Sequence, residues 1–332
     1  MIDNKNKLVS FGVIGTGRIA NRFAKEIKSI SNIKIAVVYN PNFESAQKFA
    51  ITNTIEKFTD EKKEFFDSCN AVYIASPHNT HYSYIKESIE NGKHVLCEKP
   101  MVLKKSEAEE LFALAEAKNV ILMEAIKTAY LPGFIKLHDI VKNECVGKVY
   151  DVEATFTKLS DNKTTREFKI EEKGGSFTEL GTYPLLAIAK LCGINYKSIK
   201  FISFIDSSGV DLYTKAYITF DESIATLKVG LGVKSEGNLV VSGDKGYVLA
   251  SSPWWLTQKF KVCFEDVSKN REITSEFLGQ GLGYEVNAFL EKIMSEDFSN
   301  DLSMRAISVF FAEVMETYIT ARANGQIEKI KI

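Results

Sequence analysis

The feature that most constrains the fold is a short apolar strand that runs directly into a glycine turn and then a helix. Leu8 to Ile14 form the strand candidate, residues 15–20 are Gly-Thr-Gly-Arg-Ile-Ala, and apolar residues recur at helical spacing from Ile19. In such a turn the first glycine permits the tight bend, the second lets the backbone approach a pyrophosphate, and the small third residue lets the helix pack closely. The amino terminus of the helix then faces the phosphates. This context predicts a dinucleotide-binding site.

Patterns typical of buried strands and amphipathic helices alternate through the first part of the chain. Further strands are predicted at 33–39, 71–75, 94–97 and 120–123, with helical stripes between them. The short apolar runs lack alternation, which suits parallel strands that are covered on both faces. We therefore expect a doubly wound α/β parallel sheet in the first domain, residues 1–124.

The pattern changes to period two from about Val149. Apolar and polar residues alternate over 150–157, 216–220 and 225–231, and the last two runs are separated by a short turn, which predicts an antiparallel hairpin. Two helical patterns follow, one of them from Tyr284 to Met294. The second domain, residues 125–332, is therefore predicted as a mainly antiparallel α+β domain.

Composition excludes several classes of protein. The 42 Lys and Arg residues balance 43 Asp and Glu residues, so the chain lacks the basic footprint of a nucleic-acid-binding protein. It has no run of about 20 apolar residues that could span a membrane, and no secretory signal pattern. The five cysteines are widely spaced without a CxxC pair, which argues against a disulfide framework or a structural zinc site. We expect a cytoplasmic protein without a metal, a nucleic-acid partner or a membrane partner.

The end of the second strand is where dinucleotide-binding folds choose between NAD and NADP. An Asp or Glu there binds the ribose 2′-hydroxyl of NAD, and a nearby Arg accommodates the 2′-phosphate of NADP. This chain has Tyr39-Asn40-Pro41-Asn42, which offers neither group. Asn40 could bond to either cofactor, so the choice stays open. Because no carboxylate is present to repel a 2′-phosphate, we expect a slight preference for NADP.

Two further segments follow predicted strands at the carboxyl edge of the sheet, where open α/β sheets bind ligands. Lys99, within Glu98-Lys99-Pro100, could hydrogen-bond to a substrate hydroxyl or carbonyl and transfer its proton; alternatively it is an exposed surface lysine. Residues 76–81, Ser-Pro-His-Asn-Thr-His, form a loop that is expected against the cofactor. Their HxxH spacing also suggests a metal site, but no Cys or carboxylate lies nearby to complete one.

A glycine-rich segment at 174–184 opens a helix in the second domain. Glu179 and Tyr183 are four residues apart, so on one helix they share a face. A carboxylate and a phenol that point together can orient a hydroxyl and move its proton. The alternative is a carboxylate favoured by the helix dipole, next to a core tyrosine.

In this order and spacing, the segments 15–20, 76–81, 98–100 and 179–184 resemble the Gfo/Idh/MocA oxidoreductase family. The stretch 122–126, followed by Gly147-Lys148-Val149, is most similar to the dihydrodiol dehydrogenase branch. The resemblance implies a Rossmann fold in the first domain and an open, mainly antiparallel sheet in the second, used for substrate binding and dimerisation. It also implies a last helix that packs back on the Rossmann domain, and a homodimer or higher homo-oligomer.

The resemblance also implies roles for particular residues. Lys99 would position the nicotinamide and substrate, Tyr183 would donate or accept the proton, and Glu179 stands where the family has Asp, so that its catalytic role is open. Residues 127–130 depart from the branch pattern, which argues against an aromatic dihydrodiol substrate. The candidate catalytic residues are Lys99, Tyr183 and Glu179. The candidate cofactor-binding residues are Gly15, Thr16, Gly17, Arg18, Ile19, Asn40, Ser76, Pro77, His78, His81, Glu98 and Lys99.

The function implied is that of an NAD(P)-dependent dehydrogenase or reductase. It would transfer hydride between the nicotinamide and a hydroxyl or carbonyl carbon of a sugar, a polyol or a related diol or dicarbonyl. The alternative is a dinucleotide-binding sensor of the same fold that does not catalyse turnover, because fold does not fix function.

Overall fold

The computed structural model describes residues 8–143, 145–296 and 302–331. The chain forms two compact units, the first made of Met1–Lys127 and Leu278–Val309, the second of Thr128–Phe277 and Phe310–Ile332. The predicted domains, 1–124 and 125–332, differ from these units chiefly in the segment Leu278–Val309, which the prediction placed in the second domain.

The described residues form fifteen strands and ten α-helices, numbered in chain order. The strands are β1 (Val9–Ile14), β2 (Ile33–Tyr39), β3 (Phe58–Thr59), β4 (Ala71–Ile74), β5 (His94–Glu98), β6 (Leu122–Ala125), β7 (Val149–Thr157), β8 (Ser198–Ile205), β9 (Asp211–Thr219), β10 (Ile224–Gly230), β11 (Leu239–Gly243), β12 (Tyr247–Ala250), β13 (Lys259–Cys263), β14 (Arg271–Thr274) and β15 (Glu328–Lys331). The helices are α1 (Arg18–Glu26), α2 (Phe43–Asn53), α3 (Lys62–Asp67), α4 (His78–Glu90), α5 (Lys105–Ala117), α6 (Pro132–Lys142), α7 (Ser176–Leu180), α8 (Thr182–Cys192), α9 (Leu282–Ser295) and α10 (Leu302–Ala323).

The first unit contains a six-stranded sheet in the order β3-β2-β1-β4-β5-β6. Its strands pair in parallel throughout. This is the strand order of dinucleotide-binding folds, in which ligands bind at the carboxyl ends where the order reverses, here between β1 and β4. The predicted doubly wound parallel sheet is confirmed.

Helix packing on this sheet explains why the local sequence forms these elements. Helix α1 buries Ala20, Phe23 and Ala24, and the Phe23 ring stacks on that of Tyr73 from β4, with centroids 3.7 Å apart. Helix α9 belongs to the same unit, and the ring centroid of its Phe289 lies 5.8 Å from that of Phe11 on β1. Burying such aromatic side chains stabilises a fold by about 1.5–3 kcal/mol each.

The second unit contains a nine-stranded sheet in the order β14-β13-β12-β11-β7-β10-β9-β8-β15. β10 pairs with β7, and β15 with β8, in parallel, and the other neighbours pair antiparallel. Ala154, Ala216 and Leu227 are cross-strand neighbours, and each is buried, which marks the face covered by α8. The predicted hairpin is confirmed as β9 and β10.

Helix α10 buries the apolar stripe that its sequence shows, including Phe310, Phe311 and Tyr318. The division between the two units falls within this helix, after Val309. In the part of the chain that the structure describes, no helix is both long enough and apolar enough to cross a membrane.

Candidate active site

The glycine turn lies at the carboxyl end of β1, next to the reversal of strand order. Gly15 has a backbone φ of +101°, and a Cβ atom there would lie 2.6 Å from the carbonyl oxygen of Ala75. Both facts require glycine, because other residues rarely adopt positive φ and the Cβ would clash with backbone. The turn therefore brings the end of β1 against the end of β4.

The amino terminus of α1 fits a pyrophosphate. Gly17 is the N-cap residue, and no side chain among the described residues caps this terminus. A Cβ at Gly17 would meet none of the described atoms within 4 Å, so the space beside it is open. Arg18 is exposed and Ile19 partly exposed in the first turn. Uncapped amide groups that face open space suit a phosphate anion, so these residues can hold the dinucleotide.

Asn40 connects the end of β2 to the glycine turn. Its side-chain amide donates to the hydroxyl of Thr16 at 2.9 Å, and its carbonyl accepts from the amide of Asn42 at 2.9 Å. The amide retains a second N–H and a second lone pair. The sequence indicated that Asn40 could bond to the 2′-hydroxyl of NAD or the 2′-phosphate of NADP, but it did not reveal the bond to Thr16. The choice between NAD and NADP stays a prediction.

The loop at 76–81 leads into α4, with Pro77 as the N-cap residue and His78 as the first helical residue. His81 is fully buried, and its ring nitrogens lie 2.9 Å and 3.0 Å from the carbonyl oxygens of Pro100 and Ser76. His81 thus joins the loop before α4 to the turn after β5, and its part in cofactor binding stays a prediction. The described residues contain no group of three or more potential metal ligands.

Lys99 follows the last residue of β5 and is partly buried. The backbone next to it is held at two points. The carbonyl of Pro100 is hydrogen-bonded by His81, and the amide of Met101 donates to Glu124 Oε1 at 2.8 Å. Two buried side chains thus fix the turn that presents Lys99 at the carboxyl edge of the sheet.

Glu98 lies in a buried cluster in the first unit. The hydroxyl of Tyr73 donates to Glu98 Oε1 at 2.5 Å, and burial raises the pKa of this carboxyl. Lys127 donates to the carbonyl of Gln280 at 2.6 Å, and burial lowers its pKa. Burial, followed by the charge of Glu98, raises the pKa of Glu285 well above its usual range. The carboxylate of Glu98 is hydrogen-bonded within this cluster, and cofactor binding by Glu98 stays a prediction.

Glu179 lies on α7 in the second unit, and its carboxylate pairs with Arg166. The distances are 3.3 Å from Nη1 to Oε1 and 3.4 Å from Nη2 to Oε2. Gly175, with φ of +134°, allows Asp211 to approach the start of α7, where Asp211 accepts from the Phe177 amide at 2.9 Å. Sequence reasoning missed Arg166, because a loop pairing across 13 residues has no local spacing signal.

Tyr183 lies on α8, and Gly181 separates this helix from α7. The predicted single helix is therefore two. The Tyr183 ring packs edge-on against Phe156, with centroids 4.9 Å apart, and Phe156 stacks on Trp255 at 3.7 Å. These three rings form an aromatic row that the sequence did not predict, because Phe156 and Trp255 come from distant segments.

Family models match most of the chain. Residues 9–126 match the model for the oxidoreductase family with an NAD-binding Rossmann fold, and residues 134–249 match the GFO/IDH/MocA C-terminal domain. The two matched segments coincide with the parallel sheet of the first unit and with the central part of the second unit.

Curated proteins and solved structures agree with these matches. The chain is 30% identical to scyllo-inositol 2-dehydrogenase (NADP(+)) of Bacillus subtilis, over 73% of this chain and 76% of that protein. It is 23% identical to trans-1,2-dihydrobenzene-1,2-diol dehydrogenase of Xenopus laevis, over 92% and 96%. A 3-ketoreductase from Actinomadura kijaniata, solved with NADP and TDP-benzene, superposes with a TM-score of 0.86 over 98% of this chain and 100% of that chain, at 20% identity.

Proposed function

Because this chain belongs to the Gfo/Idh/MocA oxidoreductase family, with an NAD-binding Rossmann fold at its amino end, we propose that it is a sugar or polyol dehydrogenase. It transfers hydride between the nicotinamide of NADP or NAD and the hydroxyl or carbonyl carbon of a sugar, a polyol or a related diol. The observation that carries this proposal is the open, uncapped amino terminus of α1 beside Gly17, at the reversal of strand order.

Relatives support the substrate class and the cofactor. The Bacillus subtilis relative is named for an inositol and for NADP, and a relative from Hypocrea jecorina is a D-xylose 1-dehydrogenase that is also named for NADP. Asn40 presents no carboxylate that would repel a 2′-phosphate, which is consistent with NADP. A polyhydroxylated substrate and NADP are therefore the preferred pair.

The chain's own residues supply the proton chemistry. The nicotinamide, when bound, provides or accepts the hydride. Lys99, on its fixed turn at the carboxyl edge of the sheet, can give a proton to a carbonyl oxygen, and the phenol of Tyr183 is the second candidate donor. Glu179, which is paired with Arg166, can accept a hydrogen bond from a substrate hydroxyl in this scheme.

We also propose that the protein works in the cytoplasm as a homodimer or higher homo-oligomer. One face of the nine-stranded sheet carries Tyr217 and Tyr247, which are 40% and 43% exposed. Aromatic residues on an exposed face are common at interfaces between subunits. Light scattering tests this, since a monomeric mass at micromolar concentration would contradict it.

The function is tested by nicotinamide absorbance. Wild-type protein and the Lys99→Ala variant are each assayed in both directions. The reductive assay contains NADPH or NADH with keto-sugars and dicarbonyls. The oxidative assay contains NADP or NAD with inositols, aldoses and other polyols. We expect wild-type turnover, a fall of about 10²–10⁴ in kcat for Lys99→Ala, and little change in cofactor affinity. The matched control is Lys118→Ala, an exposed lysine just beyond α5.

The outcomes separate the alternatives. Equal activity in Lys99→Ala would remove this lysine from the mechanism. Tight cofactor binding without turnover across the panel would instead favour a dinucleotide-responsive sensor. Turnover that does not need a nicotinamide would contradict the oxidoreductase.

A further inference from the structure

Glu124 is a buried carboxylate that the proposed proton transfer does not use directly. It lies on β6, where it is 3% exposed, and one of its oxygens, Oε1, accepts the Met101 amide at 2.8 Å. Its other oxygen is buried and has no hydrogen-bond partner among the described residues. A buried carboxylate oxygen without a partner is costly to stability, so Glu124 is a candidate for a functional role.

The register of the sheet places Glu124 near the end of β5, after which Lys99 follows. Glu124 is the cross-strand neighbour of Cys97 on β5, and neighbours across a parallel pair point to the same face. Successive strand residues alternate between faces, so Glu98, the last residue of β5, points to the other face, and Lys99 lies just beyond the strand end. In agreement, Glu98 bonds to Tyr73 on the face covered by α1.

The charges around Glu124 come from few elements. Glu98 and Lys99 act on it from the end of β5, the Cys97 thiol is its cross-strand neighbour on β5, and the Ser308 hydroxyl of α10 lowers the pKa of the carboxyl. Burial raises the pKa of Glu124 to about 7, with the Lys99 ammonium acting in the opposite direction. The carboxyl therefore changes charge near neutral pH, next to the lysine.

We propose that Glu124 is a positioning residue for Lys99, which fixes the Lys99–Met101 turn and places a titratable carboxyl beside the lysine ammonium. This inference rests on the proposed function, in which Lys99 is a proton donor. Glu124 acts on Lys99 through the Met101 amide and through charge, without contact with substrate. The ionisation of Glu124 then changes the charge next to the Lys99 amine near neutral pH.

The first test is kinetic and uses Glu124→Gln, which keeps an oxygen for the Met101 amide but cannot ionise. We expect kcat to fall about tenfold or more with KM and cofactor affinity within about twofold, because misplacement of a catalytic group acts on the chemical step. The limb of the kcat profile near pH 7 should disappear. The matched control is Glu285→Gln, another buried glutamate of this unit, which should keep that limb.

The second test does not need turnover. Lysines are reductively methylated with ¹³C, and the Lys99 methyl resonance is assigned by its loss in Lys99→Arg. We expect an inflection near pH 7 in wild type and in Glu285→Gln, and none in Glu124→Gln. If Glu124→Gln does not fold, Glu124→Asp should keep an inflection, at a changed pH.

These readouts distinguish the two proposals. A wild-type Lys99 resonance without an inflection between pH 6 and 8 overturns the coupling, as does a Glu124→Gln enzyme with the wild-type kcat and pH profile. An inflection in a protein that turns over no substrate would sustain the coupling while the proposed function fails.

Discussion

The aromatic ring of Tyr183 is held in place by packing against Phe156. The ring contacts Phe156 edge-on, so Tyr183→Phe keeps this contact and removes only the hydroxyl. If the phenol moves the proton, kcat should fall by about 10²–10⁴ while the melting temperature stays unchanged. Steady-state kinetics against Tyr150→Phe, an exposed tyrosine of the same unit, tests this. Unchanged turnover would leave Lys99 as the sole candidate donor.

The positions of single residues were predictable from the sequence where a strand end fixes them. Lys99 and the glycines of the turn follow directly from the ends of β5 and β1. The partners of these residues were not predictable in the same way. Arg166 reaches Glu179 from a loop, and Asn40 reaches Thr16 across 24 residues, so neither pair has a local signature. The carboxylate of Glu179 stands in an ion pair that its position in a motif did not indicate.

The turn between β1 and α1 contains two glycines, one required by the backbone conformation and one by the space beside it. Substituting each with alanine should therefore affect stability and cofactor binding separately. Gly15→Ala forces a side chain into positive φ and against the Ala75 carbonyl, and should destabilise the fold by at least about 1–2 kcal/mol. Gly17→Ala adds a Cβ to open space at an allowed φ of −75°, so stability should persist.

Cofactor binding by the two variants completes this test. The Gly17 methyl would occupy the space that the pyrophosphate needs, so NAD(P) affinity should fall about tenfold or more, the equivalent of one hydrogen bond to a charged group. Thermal unfolding and fluorescence titration of NADPH measure the two effects. Wild-type affinity in Gly17→Ala would place the pyrophosphate elsewhere.

Whole elements were predicted well where periodicity is strong and less well where long-range packing decides. The parallel strands and the β9–β10 hairpin follow from apolar runs and from alternation. The helical pattern from 176 to 192 did not reveal the break at Gly181, because glycine is tolerated within helical patterns. The Phe289 contact that ties α9 to the first unit joins segments about 280 residues apart, beyond any local pattern.

For the molecule as a whole, the net charge of −1 does not show that some carboxyl groups are buried while most are at the surface. Three glutamates, Glu98, Glu124 and Glu285, are buried in the first unit, and burial raises the pKa of each. A carboxyl with a raised pKa binds its proton more tightly in the folded than in the unfolded chain. It therefore favours folding at low pH, and this contribution is lost as pH rises from the unfolded toward the folded pKa.

Glu124 allows this linkage to be measured. Its pKa rises from 4.5 to about 7, so the folded chain should lose about 3 kcal/mol of stability from this group alone between pH 4.5 and pH 7. Urea unfolding at pH 5, 6, 7 and 8 should show the free energy of unfolding of wild type falling relative to that of Glu124→Gln. Comparing the two proteins cancels the contributions of the other carboxylates, which both proteins share. Parallel curves over this range would mean that Glu124 is ionised throughout in the folded protein, with its charge compensated by Lys99.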